Sequence, residues 1–461
     1  MTSDQRFMAI HLCCGRLPLY AGFSGASGFT APDSGAVATD SPCNDAYNAW
    51  MSFRHHFWMS LCALLLAACA SHPASAPRTP LLLVSIDGLR PTDITPAQMP
   101  HLSALADAGV RAREGMRPSY PSLTFPNHYT LVTGLRPDRH GITHNSMWDR
   151  ELGEFRLSNR EAVGDGRWWG GEPVWIGAKK AGLRTATLYW PGSEAEIAGT
   201  RPDRWQPYDE KTSDAWRADT VAGWLLEPSS KRPDFATLYF DRVDKLSHYH
   251  GPSSAEADSA RRETDAAIGR LVSALEARGE LDRINLVIVS DHGFAEVPPG
   301  QAIAVEDMVP IQAARADSIG QVVTFNPNPG FEAEARRRLL GRHSHYQCWD
   351  KAELPAQWHY GANPRVPPIV CQMDEGWDAL PRKTVAERAT SGMRGSHGFD
   401  PSLPSMRASF IAHGPAFRPG SSLPVFDNVD VYPLLMKLLH AQAAPNDGDA
   451  RTFDAVLNDR R

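Results

Sequence analysis

Three apolar runs in this chain each lead straight into acidic residues, and that repetition constrains the fold more than any other feature. Leu81-Leu82-Leu83-Val84-Ser85-Ile86 is followed directly by Asp87-Gly88. Phe235-Ala236-Thr237-Leu238-Tyr239-Phe240 is followed by Asp241, with Asp244 and His248 a few residues on. Residues 284–290 run into Asp291-His292-Gly293, and a fourth run, 184–190, ends at Pro191-Gly192. Short, nearly continuous apolar runs mark strands buried on both faces. Helical periodicity lies between them: in Pro100–Ala108, in 255–278 with Ala260, Ala267, Ile268, Leu271, Val272 and Leu275 on one face, and in 427–439 with Val431, Leu434, Leu435 and Leu438. Strands alternating with helices predict an α/β fold, a mainly parallel sheet flanked by helices on both faces.

Ligands of such sheets bind outside the carboxyl ends of the strands. One aspartate there is usually a helix cap or a turn residue. Three acidic strand ends, two with a histidine added, exceed what capping needs. Carboxylates clustered out of water require compensating cations, and a bound metal is the economical one. The candidate ligands are Asp87, Asp244, His248, Asp291, His292 and His397, the last in Gly395-Ser396-His397-Gly398. Mixed carboxylate and imidazole donors suit zinc. Asp244 and His248 are four apart and share a helical face. Asp291 and His292 are adjacent, so the chain must turn sharply, which Gly293 allows. Three ligands per ion predict two ions.

The stretch Pro118-Ser119-Tyr120-Pro121-Ser122-Leu123-Thr124-Phe125-Pro126-Asn127-His128 adds a hydroxyl. Proline near the start and Gly134 past the end place Thr124 at a helix N-terminus, where free N–H groups favour an anion. A helix cap is the alternative use of this threonine. The strand-end Asp and His residues favour a nucleophile. Metal ligation would activate its weakly nucleophilic hydroxyl without a separate base.

Hydrophobic content of 42% and charged content of 22% are those of a globular protein. The net charge of −6 gives no platform for nucleic acid or for an anionic membrane surface. Residues 1–50 show no periodicity and read as a non-native or disordered extension. Residues 51–69 then carry a basic segment, a short apolar run and Leu66-Ala67-Ala68-Cys69, the pattern of an export signal. That end resembles the lipobox of bacterial lipoproteins, which implies a lipid anchor at Cys69; plain cleavage beside Ala68 or Ala70 is the alternative. Residues 70–80 read as a linker, 81–446 as the catalytic domain with an insert over about 300–390, and 447–461 as a tail. Of 7 cysteines only Cys348 and Cys371 follow Cys69, and in an exported chain they are expected to pair.

Six motifs in order carry a family resemblance: Asp87-Gly88, the Pro-Ser-Leu-Thr-Phe-Pro-Asn-His segment, residues 134–142, Asp244 with His248, Asp291-His292-Gly293, and Gly395-Ser396-His397-Gly398. Together they resemble the bacterial nucleotide pyrophosphatase/phosphodiesterases of the alkaline phosphatase superfamily. The resemblance implies an alkaline-phosphatase-like fold, two zinc ions and a covalent phosphothreonine at Thr124. It implies that Asp244, His248 and His397 hold one ion and that Asp87, Thr124, Asp291 and His292 hold the other. It also implies that Asn145 donates to a phosphoryl oxygen and that Phe125 and Tyr208 sandwich a nucleobase. The expected partners are small nucleotides, with no protein partner, and the expected location is the periplasm. Val243 and Ser247 depart from the Pro and Gly that the family places before the second strand's ligands. Asp241 therefore competes with Asp244, and the spacing to His248 and Gly251-Pro252 favours Asp244. The rival readings are a phosphomonoesterase, a lipid-headgroup phosphodiesterase using Trp168, Trp169 or Trp175 as an ammonium cage, and a non-catalytic zinc-binding lipoprotein.

Overall fold

Alternate residues of the central strands face opposite sides of one sheet, and each side meets its own layer of helices. The computed structural model describes residues 78–458. The expected leader, its lipobox at Cys69 and the four earlier cysteines lie outside the described residues.

The sheet contains β1 Leu81–Ile86, β2 Val110–Ala112, β3 Thr185–Leu188, β4 Arg204–Trp205, β5 Phe235–Phe240, β6 Asn285–Val289, β7 Phe410–His413 and β8 Ser421–Leu423. The principal helices are α1 Pro100–Ala108, α2 Thr124–Thr133, α3 Asp214–Leu225, α4 Arg242–His250, α5 Ala255–Glu276 and α6 Val431–Leu438. Strand order is β8-β2-β7-β6-β1-β5-β3-β4. All neighbours run parallel except β7, which is antiparallel to both β2 and β6.

Leu81 and Leu83 point to the side covered by α2 and α6, where Tyr129, Leu131, Val132, Leu434 and Leu435 are buried. Leu82, Val84 and Ile86 point to the side of α1, α3 and α5, among Leu102, Val221, Ile268 and Leu271. Strands buried on both faces cannot alternate apolar with polar residues, which is why β1 and β5 read as unbroken apolar runs. On α5, Ala260, Ala267, Ile268, Leu271 and Leu275 are buried, and Ser254 caps the helix through the Ala257 N–H at 3.1 Å. Each fully buried leucine or isoleucine in these layers contributes roughly 1.5–3 kcal/mol.

The register brings the strand ends level. Ile86 pairs with Phe240, and Ser85 pairs with Val289. Asp87, Asp241 and Asp291 therefore leave the sheet at one edge.

Between β6 and β7 the chain makes a long excursion. It begins and ends in an antiparallel pair, Ala295–Val297 with Arg394–Ser396. Within it a second, wholly antiparallel sheet runs in the order Ala314–Ser318, Val322–Pro327, Ile369–Met373, Tyr346–Asp350, Gly341–Arg342. Cys348 stands opposite Cys371 on adjacent strands, and the two form the expected disulfide. Beyond α6, Phe453 and Val456 are buried in the main core. Among the described residues no helix is long and apolar enough to cross a membrane.

Candidate metal centre and active site

Thr124 is the first residue of α2, and Gly134 ends that helix at φ +65°, in the left-handed region that favours glycine. The Thr124 hydroxyl makes no capping bond; it lies 3.3 Å from His292 Nε2. Its capping alternative is thus not the one realised.

Around it stand two sets of ligand-type atoms, Asp244 with His248 and His397, and Asp87 with Asp291 and His292; within each set the donor atoms lie within 4.8 Å of one another. Asp244 and His248 share one face of α4, as their spacing predicts, with His248 Nε2 3.5 Å from Asp244 Oδ1. Asp241 is excluded. Its two oxygens accept from Tyr208 at 2.7 Å and from Arg217 at 2.6 Å. The two sets adjoin, because the rings of His292 and His397 stack with centroids 3.5 Å apart.

The tautomers are decided by the backbone. His248 Nδ1 donates to the Gly395 carbonyl, His292 Nδ1 to that of Gly293, and His397 Nδ1 to that of Ser122. A carbonyl can only accept, so each Nδ1 carries its hydrogen and each Nε2 presents a lone pair. Yet His248 Nε2 and His397 Nε2 face each other at 3.1 Å, and His292 Nε2 faces Asp291 Oδ2 at 2.9 Å. Among the described residues, Asp87 Oδ1, Asp244 Oδ1 and Asp291 Oδ2 are buried without a hydrogen-bond partner. Lone pairs aimed at lone pairs repel unless a cation stands among them. The donor set therefore fits metal ions, and neutral imidazole with anchored Nδ1 is the usual ligand form.

The pKa shifts have the same origin. Burial, then the charges of Asp291 and Asp244, push Asp87 well above the usual carboxylate range. Burial likewise raises Asp244. Burial opposes ionisation of Asp291 too, but the His292 and His128 imidazoles outweigh it and hold its carboxyl well below that range. Burial lowers His292, but Asp291 outweighs burial and raises it. Burial, with His292 and His248, holds His397 well below the ordinary imidazole value.

Two residues overlooked in the sequence support these donor sets. The buried Tyr239 hydroxyl donates to Asp87 Oδ2 at 2.6 Å. His128 Nδ1 lies 3.0 Å from the Thr124 carbonyl and 3.3 Å from Asp291 Oδ2, while its Nε2 meets the Ser85 hydroxyl at 2.8 Å. His128 falls one turn after Thr124, a spacing that would have exposed it. Gly293 also differs from expectation. A side chain there would meet the Ser405 carbonyl at 2.1 Å, so close backbone packing is what demands glycine.

A cavity of about 470 Å³ opens onto the site, with Phe125, Leu157, Tyr189 and Tyr208 among its walls. The Asn145 Oδ1 accepts from the Phe125 N–H at 2.9 Å. This corrects one expectation: that N–H at the helix start is already engaged, and the remaining donor of the pair is the Asn145 amide Nδ2. Trp168, Trp169 and Trp175 are buried in the core, so they offer no open cage for an ammonium group.

The fold and its ligand-bearing edge are alkaline-phosphatase-like. Residues 81–400 match the model described as Type I phosphodiesterase / nucleotide pyrophosphatase, and the chain belongs to that family. It is 35% identical over 395 residues to the ectonucleotide pyrophosphatase/phosphodiesterase family member 3 of Bos taurus, covering 82% of this chain and 44% of the relative. A venom phosphodiesterase of Crotalus durissus collilineatus is 34% identical, covering 84% of this chain and 47% of its own. The chain thus spans about half the length of these relatives. Murine ectonucleotide pyrophosphatase/phosphodiesterase 5, solved as an inactive threonine-to-alanine variant in complex with AMP, superposes with a TM-score of 0.77 at 30% identity, covering 83% of this chain and 100% of that one.

Proposed function

We propose that this protein is a two-zinc hydrolase that cleaves nucleotide phosphodiester and pyrophosphate bonds through a covalent phosphothreonine at Thr124, releasing nucleoside 5′-monophosphates. The observation that carries the reading is the Thr124 hydroxyl beside His292, between two sets of donors whose lone pairs face one another. Asp244, His248 and His397 would hold one zinc; Asp87, Asp291, His292 and Thr124 would hold the other. Bound zinc lowers the pKa of an adjacent hydroxyl and neutralises phosphoryl charge.

Thr124 Oγ1 attacks phosphorus, and the bond to the leaving oxygen breaks with its electron pair. The Asn145 amide donates to a non-bridging oxygen, held in orientation by the Phe125 N–H. Phe125 and Tyr208 take the base between them; the Tyr208–Asp241–Arg217 chain keeps the tyrosine ring in place. Water then displaces Thr124 Oγ1 from phosphorus. The inactive threonine-to-alanine relative solved with AMP supports a threonine nucleophile and a nucleotide ligand. A monoesterase would need a cation where neutral Asn145 stands, and the tryptophans proposed for a choline cage are buried. We further propose an exported protein, anchored in the periplasm through Cys69.

Thr124→Ala should abolish turnover, while metal analysis still finds about two zinc ions per chain. Thr124→Ser should keep part of the rate. A substrate panel of nucleoside triphosphates, dinucleoside polyphosphates, phosphocholine diesters and monoesters decides among the rivals. Monoester hydrolysis with kcat/KM equal to that for nucleotide diesters would refute the reading.

A further inference from the structure

The cavity that carries the aromatic residues is also lined by basic ones. Beside Asp244 and His248 the lining includes Lys245, Tyr249 and Arg394. Arg394 begins the strand that delivers His397, and the next residue, Gly395, supplies the carbonyl that anchors His248.

The guanidinium of Arg394 is unusual among the arginines of this wall. Arg160 is paired with Glu194, and Arg217, behind the aromatic side, is paired with Asp241. Arg394 makes no ion pair and no side-chain hydrogen bond among the described residues, and its Nε is buried without an acceptor. Asp378, a carboxylate whose charge acts on it, is taken by Arg388 at 2.6 Å. The Tyr249 ring lies under the guanidinium, 5.9 Å from its carbon, as a cation–π shelf. A guanidinium that faces an open cavity without a carboxylate partner can accept an anion there through its remaining N–H donors. Lys245, loosely paired with Glu210 at 3.4 Å, adds a second positive charge on the same wall.

Resting on the nucleotide reading above, we infer that Arg394, assisted by Lys245, forms a leaving-group subsite for a phosphate or pyrophosphate anion. The nucleoside half of the substrate then lies toward Phe125 and Tyr208, and the half that departs lies toward Arg394. The preferred substrates are those with a phosphorylated leaving group, such as nucleoside triphosphates and dinucleoside polyphosphates. Diesters with an uncharged or aryl leaving group make no use of this subsite.

The test compares ATP with the 4-nitrophenyl ester of thymidine 5′-monophosphate, which places a nitrophenolate in the departing position. In the zinc-loaded full chain, Arg394→Gln should lower kcat/KM for ATP roughly ten- to thirtyfold and leave the nitrophenyl ester within about twofold. Arg394→Lys should recover part of the loss, since it restores the charge without the planar fork. Calorimetric titration with inorganic pyrophosphate should show about tenfold weaker binding in Arg394→Gln, while AMP binding is unchanged. Equal loss on both substrates, or no loss on ATP with unaltered pyrophosphate affinity, overturns the subsite. If the wild type cleaves neither substrate, the nucleotide reading is what fails, and the pyrophosphate titration still judges the anion site by itself.

Discussion

Tyr239 shows how closely the ligands depend on residues one step removed from them. Among the described residues its hydroxyl supplies the sole hydrogen bond to Asp87 Oδ2, and Oδ1 has none. Tyr239→Phe should weaken metal affinity about tenfold, read by competition with a chelator, without altering the fold, because outer partners typically contribute tenfold or more. Unchanged affinity would reduce Tyr239 to a packing residue. Phe125→Ala should raise KM for nucleotides and leave a small nitrophenyl diester nearly unaffected, since base stacking is worth on the order of 1–3 kcal/mol. That the Asp and His residues of the two donor clusters lie together was legible in the sequence, because strand ends dictate their place. Tyr239 was not, because it looks like an ordinary apolar-run residue until pairing register turns it toward an aspartate, and His128 was marked only by its one-turn spacing from Thr124. The choice of Asp244 over Asp241 was legible only through spacing; the structure supplies the physical reason, a neighbouring arginine and tyrosine that occupy Asp241.

At the level of elements, the bounds of β1, β5 and α1 coincide with those expected from apolar runs and helical period. The reversed strand β7 escaped notice, since Phe410–His413 is short and nothing local marks strand direction. The excursion sheet escaped it as well. Its outer strand Ala314–Ser318 is half polar, because it sits at an edge with one side toward solvent. What stabilises that sheet includes the Cys348–Cys371 link, which closes a loop of 23 residues in sequence separation. Replacing both cysteines by serine should cost about 3 kcal/mol, seen as a lower denaturant midpoint, with metal content retained. Two titratable thiols in protein isolated from an oxidising compartment would contradict the pairing.

On the scale of the whole molecule, acid is the vulnerable direction. His140 is buried and accepts the Ile142 N–H at Nδ1, and burial lowers its pKa to about 3. His144 accepts the Ser146 N–H in the same way and is lowered to about 4. In the unfolded chain both would titrate near the ordinary value of about 6.5. Between that value and the folded ones the unfolded state binds more protons, so stability is full above about pH 6.5 and is lost as pH falls, by up to about 1.4 kcal/mol per unit for each ring. Melting curves from pH 7 to pH 4, with chelator present throughout, should show a steady fall in Tm. A flat profile would mean that the two rings are not held neutral.

The antiparallel pair of Ala295–Val297 with Arg394–Ser396 stitches the excursion shut at its neck. His292 enters just before this seam, and His397 leaves just after it. Topologically the excursion is a side loop on a closed circuit: the two histidines are neighbours across the seam, however long the detour between its threads. Changes at the far turns of the detour should thus leave the spacing of His292 and His397 untouched, because the seam lies between them and the change.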